Sequence, residues 1–254
     1  MQKIKKENIK MKKLTINILR NLFDVFLPPR CLVCKDVVYK ENGLCHKCFK
    51  NFCFLSDQSC PVCGRPYTFP VEEKELVCGK CLADPPTLQG LKAVFAYDEY
   101  SKKLILPFKH ADRTDLVPFL SKLLYYRGRQ ILENADCIMP VPLYWQRLMK
   151  RKYNQAALLT VKLSKMTGKP YLLNTLLRIK KTQSQGHKTR EERMQNIKDA
   201  FCIKHSDKVK GKTIVLIDDV YTTGATLNEC AKVLRQAGAK RVEALVLARV
   251  CYFE

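Results

Sequence analysis

Four Cys-x2-Cys pairs fall within the fifty-one residues from Cys31 to Cys81: Cys31/Cys34, Cys45/Cys48, Cys60/Cys63 and Cys78/Cys81. A segment that short buries too little apolar surface to hold itself together, so it needs a staple. Each pair can aim two sulfurs at one tetrahedral ion, and two pairs close a four-sulfur site with no open position. Eight such ligands predict two structural zinc ions. The intervals between successive pairs are ten, eleven and fourteen residues. Joining the pairs in order closes short loops and gives two successive zinc ribbons; an interleaved pairing, first with third and second with fourth, satisfies the same count. The stretches CPVCGRP and CGKCLADPP supply the proline and glycine of tight knuckles. His46, Cys53, Cys137, Cys202, Cys230 and Cys251 read as structural or surface residues instead.

Nine of the thirteen cysteines lie between Cys31 and Cys81, which sets that segment apart from the rest of a 254-residue chain. One or two domains fit this length, and the uneven cysteines favour two. Hydrophobic residues make up 46% and aromatics 9%, a globular composition. Lys and Arg number 46 against 24 Asp and Glu, a formal charge of +22. Two four-thiolate zinc sites would leave roughly +18, still enough to attract polyanions such as nucleic acid. Six lysines occupy the first thirteen residues, between Lys3 and Lys13, and the apolar stretch that follows is broken by Arg20 and Asp24. It reads neither as an export signal nor as a bilayer span. Ile18, Leu22 and Phe26 recur at helical spacing. They predict an amphipathic helix, docked on the neighbouring domain or on a membrane surface. A cytoplasmic location is expected, with the inner face of the membrane as the alternative, and reduced thiols there favour metal over disulfides.

Past ADPPTLQG the pattern changes to alternating strands and helices. LKAVFAY reads as a strand, and DLVPFLSKLLYY as a helix with Leu116, Leu120 and Leu123 on one face. DCIMPVPL is a short buried strand, followed by a helix turning Ala156, Leu159 and Leu163 to the core. KTIVLIDDV is a strand, TLNECAKVLRQAG its helix with Gly238 as the stop, and RVEALVLARV a last strand. This order predicts an α/β fold: a parallel sheet flanked by helices, with ligands beyond the carboxyl ends of the strands. The expected domains are a basic N-terminal segment over 1–26, a double zinc ribbon over 27–88 and the α/β domain over 89–254.

One such strand end stands out. In IVLIDDVYTTGAT, residues Ile214 to Ile217 deliver Asp218 and Asp219, and Thr222, Thr223, Gly224, Ala225 and Thr226 turn the chain into a helix. The backbone N–H groups and hydroxyls of such a turn hold a phosphate, and Gly224 lets the backbone come close. Carboxylates beside a phosphate make sense only if the ligand also offers hydroxyls or a divalent cation, and a ribose 5-phosphate offers both parts. Response regulators also end strands in aspartate pairs, but early in their fold; here one helix and one strand follow. The stretch closely resembles the thirteen-residue signature of type I phosphoribosyltransferases, whose ligand is phosphoribosyl pyrophosphate. The resemblance implies that Asp218 and Asp219 bind the ribose hydroxyls while Thr222 to Thr226 wrap the 5-phosphate.

The match narrows with PVPLYWQRLMKRKYNQ, KTQSQGHKTREERMQNIKDAF, the lysine of LPFKH and the cysteine pairs. Together these resemble the ComF family of competence-associated, phosphoribosyltransferase-like proteins, from Leu27 to Arg249. Members commonly read R-G-F/Y-N-Q where this chain has RKYNQ, so Lys152 stands at a glycine position, and Lys188 stands where a leucine is usual. The resemblance implies a pyrophosphate loop at Pro140 to Arg147 and a closing loop from Arg178 to Asn196. Cations on departing pyrophosphate stabilise the transition state, which makes Arg178, Lys180 and Lys181 catalytic candidates and Mg2+ the expected companion of the ligand. Two functions follow. One is a phosphoribosyl-binding protein handling single-stranded DNA during uptake and transformation, through Arg151, Lys152, Lys180, Lys181 and Lys188, with DNA-uptake helicase or channel proteins as partners. The other is an active phosphoribosyltransferase of nucleobase or nucleotide metabolism.

Overall fold

The computed structural model describes residues 28–72, 76–181 and 190–251; the helix expected through Ile18, Leu22 and Phe26, the basic run Lys3 to Lys13 and Lys188 lie outside them. By internal contacts the chain divides into two units, Met1–Asn51 and Phe52–Glu254. The division falls inside the 27–88 segment, so the second group of cysteines falls in the same unit as the sheet and the first group in the other unit.

The helices in chain order are α1 (His46–Lys50), α2 (Gly79–Ala83), α3 (Glu99–His110), α4 (Val117–Arg127), α5 (Arg129–Glu133), α6 (Trp145–Arg151), α7 (Gln155–Thr167), α8 (Arg190–Ile197) and α9 (Ala225–Gln236). The strands are β1 (Leu91–Ala96), β2 (Cys137–Pro140), β3 (Leu176–Arg178), β4 (Phe201–Ile203), β5 (Thr213–Tyr221) and β6 (Arg241–Arg249). Among the described residues they form a four-stranded sheet in the order β1-β6-β5-β2, parallel throughout, and a separate antiparallel pair, β3 with β4.

Ile214 to Ile217 and Val242 to Ala248, with Glu243 the one polar exception, are buried without interruption, as expected of strands covered on both faces. One set of alternating residues, including Met139, Ile214, Leu216, Ala244 and Val246, joins Leu227, Cys230, Ala231 and Leu234 of α9 in one apolar cluster. Helices α4 and α7 pack on the sheet and on each other. The buried face of α4 is Leu116, Leu120 and Leu124; Leu123, expected there, is only half-buried, because the stripe advances four residues at a time. Ala156, Leu159 and Leu163 of α7 are buried as predicted. Helix α6 was not anticipated: it buries none of its side chains, so it leaves no apolar period to read.

Both sheet edges are covered, which removes sites for stray pairing. Along β1, Leu55 N–H donates to Val94 O at 2.9 Å and Ala96 N–H to Cys53 O at 2.9 Å, while the Phe95 ring meets Phe52 and Phe54 at 5.1 and 5.0 Å. Along β2, Ile138 N–H donates to Pro170 O and Leu172 N–H to Ile138 O.

The two cysteine modules repeat one local design, a duplication that sequence reading passed over. In each, the N–H of the residue after the second cysteine donates back to the first cysteine's carbonyl, Lys35 to Cys31 and Gly64 to Cys60. That residue is left-handed in both, with φ of 68° and 66°. The third cysteine then serves as N-cap of a short helix, Cys45 for α1 and Cys78 for α2.

Candidate functional site

Strand β5 runs further than its neighbour β2. Their pairing ends at Pro140 opposite Ile217, yet β5 continues through Asp218, Asp219 and Val220 to Tyr221, held by β6 alone. The strand read over KTIVLIDDV thus carries the acidic pair within it, on an edge left open where β2 has ended. The loop Thr222 to Gly224 then leads into α9, with Gly224 at the N-cap, φ 86°, and no side-chain cap. A side chain at Gly224 would also run into the ring and hydroxyl of Tyr221, so glycine is required by backbone angle and by space.

A cavity of about 230 Å3 opens here. It gathers Asp218, Asp219 and Thr222 to Thr226 with four cations from three other elements: Lys109 of α3, Arg147 and Arg151 of α6, and Arg178 of β3. Lys109 Nζ lies 2.8 Å from Asp219 Oδ1, with both side chains largely buried. Burial, then the charge of Asp219, pushes the Asp218 carboxyl up to about 7. Burial and the neighbouring Arg151 lower the pKa of Arg147; burial and Arg147 lower that of Arg178, whose guanidinium stacks on Phe201 at 5.4 Å. Crowded guanidinium groups that oppose one another's charge favour a polyanion between them.

The RKYNQ stretch explains how the cations arrive. Tyr153 Oη donates to Phe108 O at 3.2 Å, and Gln155 Nε2 to Phe108 O at 3.3 Å and Lys109 O at 3.2 Å, pinning the end of α3 that bears Lys109. Asn154 caps α7 through Ala156 N–H and donates to Val141 O at 3.0 Å, fixing the loop after β2. Lys152 ends α6 in the left-handed conformation, φ 64°, which is why a glycine suits this position; its Nζ meets Asp112 Oδ2 at 3.0 Å. Lys180 is exposed, 3.9 Å from Asp199, and Lys181 is exposed as well; among the described residues neither lines the cavity, so of the three catalytic candidates the structure brings only Arg178 to it. Lys109 had no assigned role in the sequence, because its partner lies 110 positions away, at Asp219.

The cysteines group in sequence order, Cys31, Cys34, Cys45 and Cys48 in one cluster and Cys60, Cys63, Cys78 and Cys81 in the other, with the sulfurs of each within 4.8 Å of one another. Sulfur separations of 3.6 Å (Cys34 to Cys45) and 3.7 Å (Cys63 to Cys78) match the edge of about 3.8 Å expected of a tetrahedron with Zn–S near 2.3 Å. Backbone N–H groups point at the sulfurs, Cys45 N–H at Cys31 Sγ (3.3 Å) and Cys78 N–H at Cys60 Sγ (3.4 Å), which favours thiolates. The donor set and its second shell fit structural zinc.

Residues 22–82 match the Double zinc ribbon domain, and residues 163–250 the Phosphoribosyl transferase domain. Competence protein F of Haemophilus influenzae is 34% identical over 227 residues, 87% of this chain and 96% of that protein. The chain belongs to the ComF family. Other relatives are the DNA utilization protein YhgH of Escherichia coli K12, 32% identical over 230 residues (88% of this chain, 98% of that one), and Competence protein ComFC of Bacillus subtilis, 26% identical over 239 residues (86% and 94%). The ComF architecture is thus a double zinc ribbon followed by a phosphoribosyltransferase-like parallel sheet. Among the described residues no helix is long and apolar enough to cross a membrane.

Proposed function

We propose that the cavity at the end of β5 binds phosphoribosyl pyrophosphate or a related phosphoribosyl ligand, and that the protein uses this site in handling single-stranded DNA during uptake and natural transformation. The observation that carries the reading is the meeting of an acidic pair, an anion-binding turn and four cations in one cavity. Ribose hydroxyls donate to Asp218 and Asp219, the 5-phosphate takes the N–H groups at the start of α9, and the pyrophosphate falls to Arg147, Arg151 and Arg178. Mg2+ carried with the ligand would neutralise part of the pyrophosphate charge. The names of the relatives, competence proteins and DNA utilization proteins, support the DNA role, as does a net charge of +22. A cytoplasmic place beside DNA-uptake helicase or channel proteins goes with this reading. Calorimetry with phosphoribosyl pyrophosphate and Mg2+ tests it: micromolar binding that disappears on changing Asp218 and Asp219 together to Asn is expected, and absence of binding by the wild type rejects it.

The arginine cluster favours a second reading, an active transferase. As the anomeric C–O bond breaks, the electron pair leaves with pyrophosphate, where these cations lie, and an acceptor nitrogen forms the new bond and gives up its proton. Release of pyrophosphate in the presence of nucleobases, lost on changing Arg178 to Gln, is the result that would establish it.

A further inference from the structure

A second cavity, of about 280 Å3, adjoins the first. Tyr221, Thr222 and Thr223 line both, so the loop before α9 is their common wall. Among the described residues Asp218 and Asp219 line only the first cavity, whereas Arg65, Lys80 and Arg249 line only the second. Arg249 is buried and binds both sides of that space: its guanidinium lies 5.1 Å from the Tyr221 ring and its Nη2 lies 3.5 Å from Cys63 Sγ. Arg249 thereby offsets part of the charge of the second cysteine cluster, and Arg65 and Lys80 add two further cations to the wall of the cavity. No phosphoribosyl ligand confined to the first cavity would reach them.

The inference rests on the proposed placement of a sugar on Asp218 and Asp219 and a phosphate on the loop. Such a phosphate has one ester bond toward the sugar in the first cavity. A ligand that continues into the second leaves the phosphate through another bond, an ester or an anhydride, and the ester is the one that a nucleic-acid strand supplies. We infer that the two cavities together take the 3'-terminal two nucleotides of a single strand. The last sugar sits on the aspartates, the phosphodiester on Thr222 to Thr226, and the preceding nucleotide in the second cavity with its own 5'-phosphate at Arg65 and Lys80. The carboxylates accept hydrogen bonds and repel anions, so the terminal 3' position must be a hydroxyl. DNA and RNA ends share this chemistry apart from the 2'-hydroxyl.

The test is calorimetry on the full-length, zinc-loaded protein, with 5'-phosphorylated thymidine dinucleotide (pTpT), the same dinucleotide carrying a 3'-phosphate, the uridine dinucleotide pUpU, and ribose 5-phosphate. A 3'-phosphate should weaken pTpT at least tenfold. Changing Arg65→Gln and Lys80→Gln together should weaken pTpT by about tenfold or more, for the loss of charge-assisted phosphate contacts, and leave ribose 5-phosphate and zinc content unchanged. Equal pTpT affinity in that variant, or indifference to the 3'-phosphate, overturns the inference. Binding of pTpT at least as tight as pUpU supports DNA as the source; retention of pUpU with loss of pTpT overturns that source. Failure of ribose 5-phosphate to bind the wild type instead strikes the proposed function itself.

Discussion

Asp218→Asn and Asp219→Asn are expected to move stability in opposite directions, although the two residues are adjacent. The folded-state pKa of Asp218 is raised from 3.8 to about 7, chiefly by burial. The native state therefore keeps a proton that the unfolded chain loses above about pH 4, and wild-type stability falls as pH rises from there through about 7. At about 1.4 kcal/mol per pH unit the rise sets a ceiling of about 4 kcal/mol on the cost of ionising Asp218 in the fold. Partial solvent access and coupling to Asp219 bring the expected figure down to about 1–2 kcal/mol. Asn keeps the acceptor that Asp219 N–H uses at 2.9 Å and removes the charge. Asp218→Asn should thus exceed wild type already at pH 5, above the unfolded pKa, and by more at pH 8, at about 2–4 °C in Tm per kcal/mol. Asp219→Asn should instead cost about 1–2 kcal/mol at pH 8, because it strands the largely buried ammonium of Lys109. Thermal unfolding of both variants at pH 5 and pH 8, with phosphoribosyl pyrophosphate titrations alongside, checks this. If Asp218→Asn is the less stable protein at pH 8, the carboxylate is not held at a cost for its ligand, and the reasoning is refuted.

Metal analysis should find two zinc ions per chain, and Cys63→Ser should remove one of them while the cluster at Cys31, Cys34, Cys45 and Cys48 keeps the other. Lys152→Gly should stabilise the protein by about 0.5–1 kcal/mol in denaturant unfolding, since relief of the left-handed backbone outweighs an exposed ion pair with Asp112. Single-stranded DNA binding should be salt-sensitive, and replacing Lys180, Lys181 and Lys188 with Gln should make the slope of log affinity against log salt shallower by up to roughly 2 if all three touch phosphates. A slope that stays the same, with zinc content intact, removes those lysines from the DNA contact.

The parts of this fold that could be read from the sequence are those with a local signature. Cysteine spacing calls for two metal sites, aliphatic runs mark β5 and β6, and the chemistry of the Asp218 to Thr226 turn points to a sugar phosphate. The pairing of cysteine pairs was left open because spacing permits two closures, and only the geometry groups them in order. What stayed hidden was non-local or unperiodic. Lys109 reaches the site because Gln155 and Tyr153, from another element, hold the carbonyls at the end of α3. Helix α6 buries nothing and so left no pattern, yet it brings Arg147 and Arg151 to the cavity. Lys180 and Lys181 looked as well placed as Arg178, being neighbours in sequence. The end of a strand separates them: Arg178 is the last residue of β3, beside Phe201, and Lys180 and Lys181 follow it outside the cavity.

Charge in this site is divided between supports in a way that bears on how it works. The acidic pair sits on β5, an interior strand of the sheet, where its position is fixed by pairing with β6. The cations come from α3, α6 and β3, and Lys109 lies 2.8 Å from the Asp219 carboxylate. Tyr153 and Gln155 fix the end of α3 that bears Lys109, Asn154 fixes the loop after β2, and Arg178 stacks on Phe201. Acidic and basic groups fixed on separate elements offer a ligand with hydroxyls at one end and phosphates at the other a place already shaped for both. Loosening one of these supports, as Tyr153→Phe would, should therefore lower affinity for such a ligand without removing any charge from the cavity.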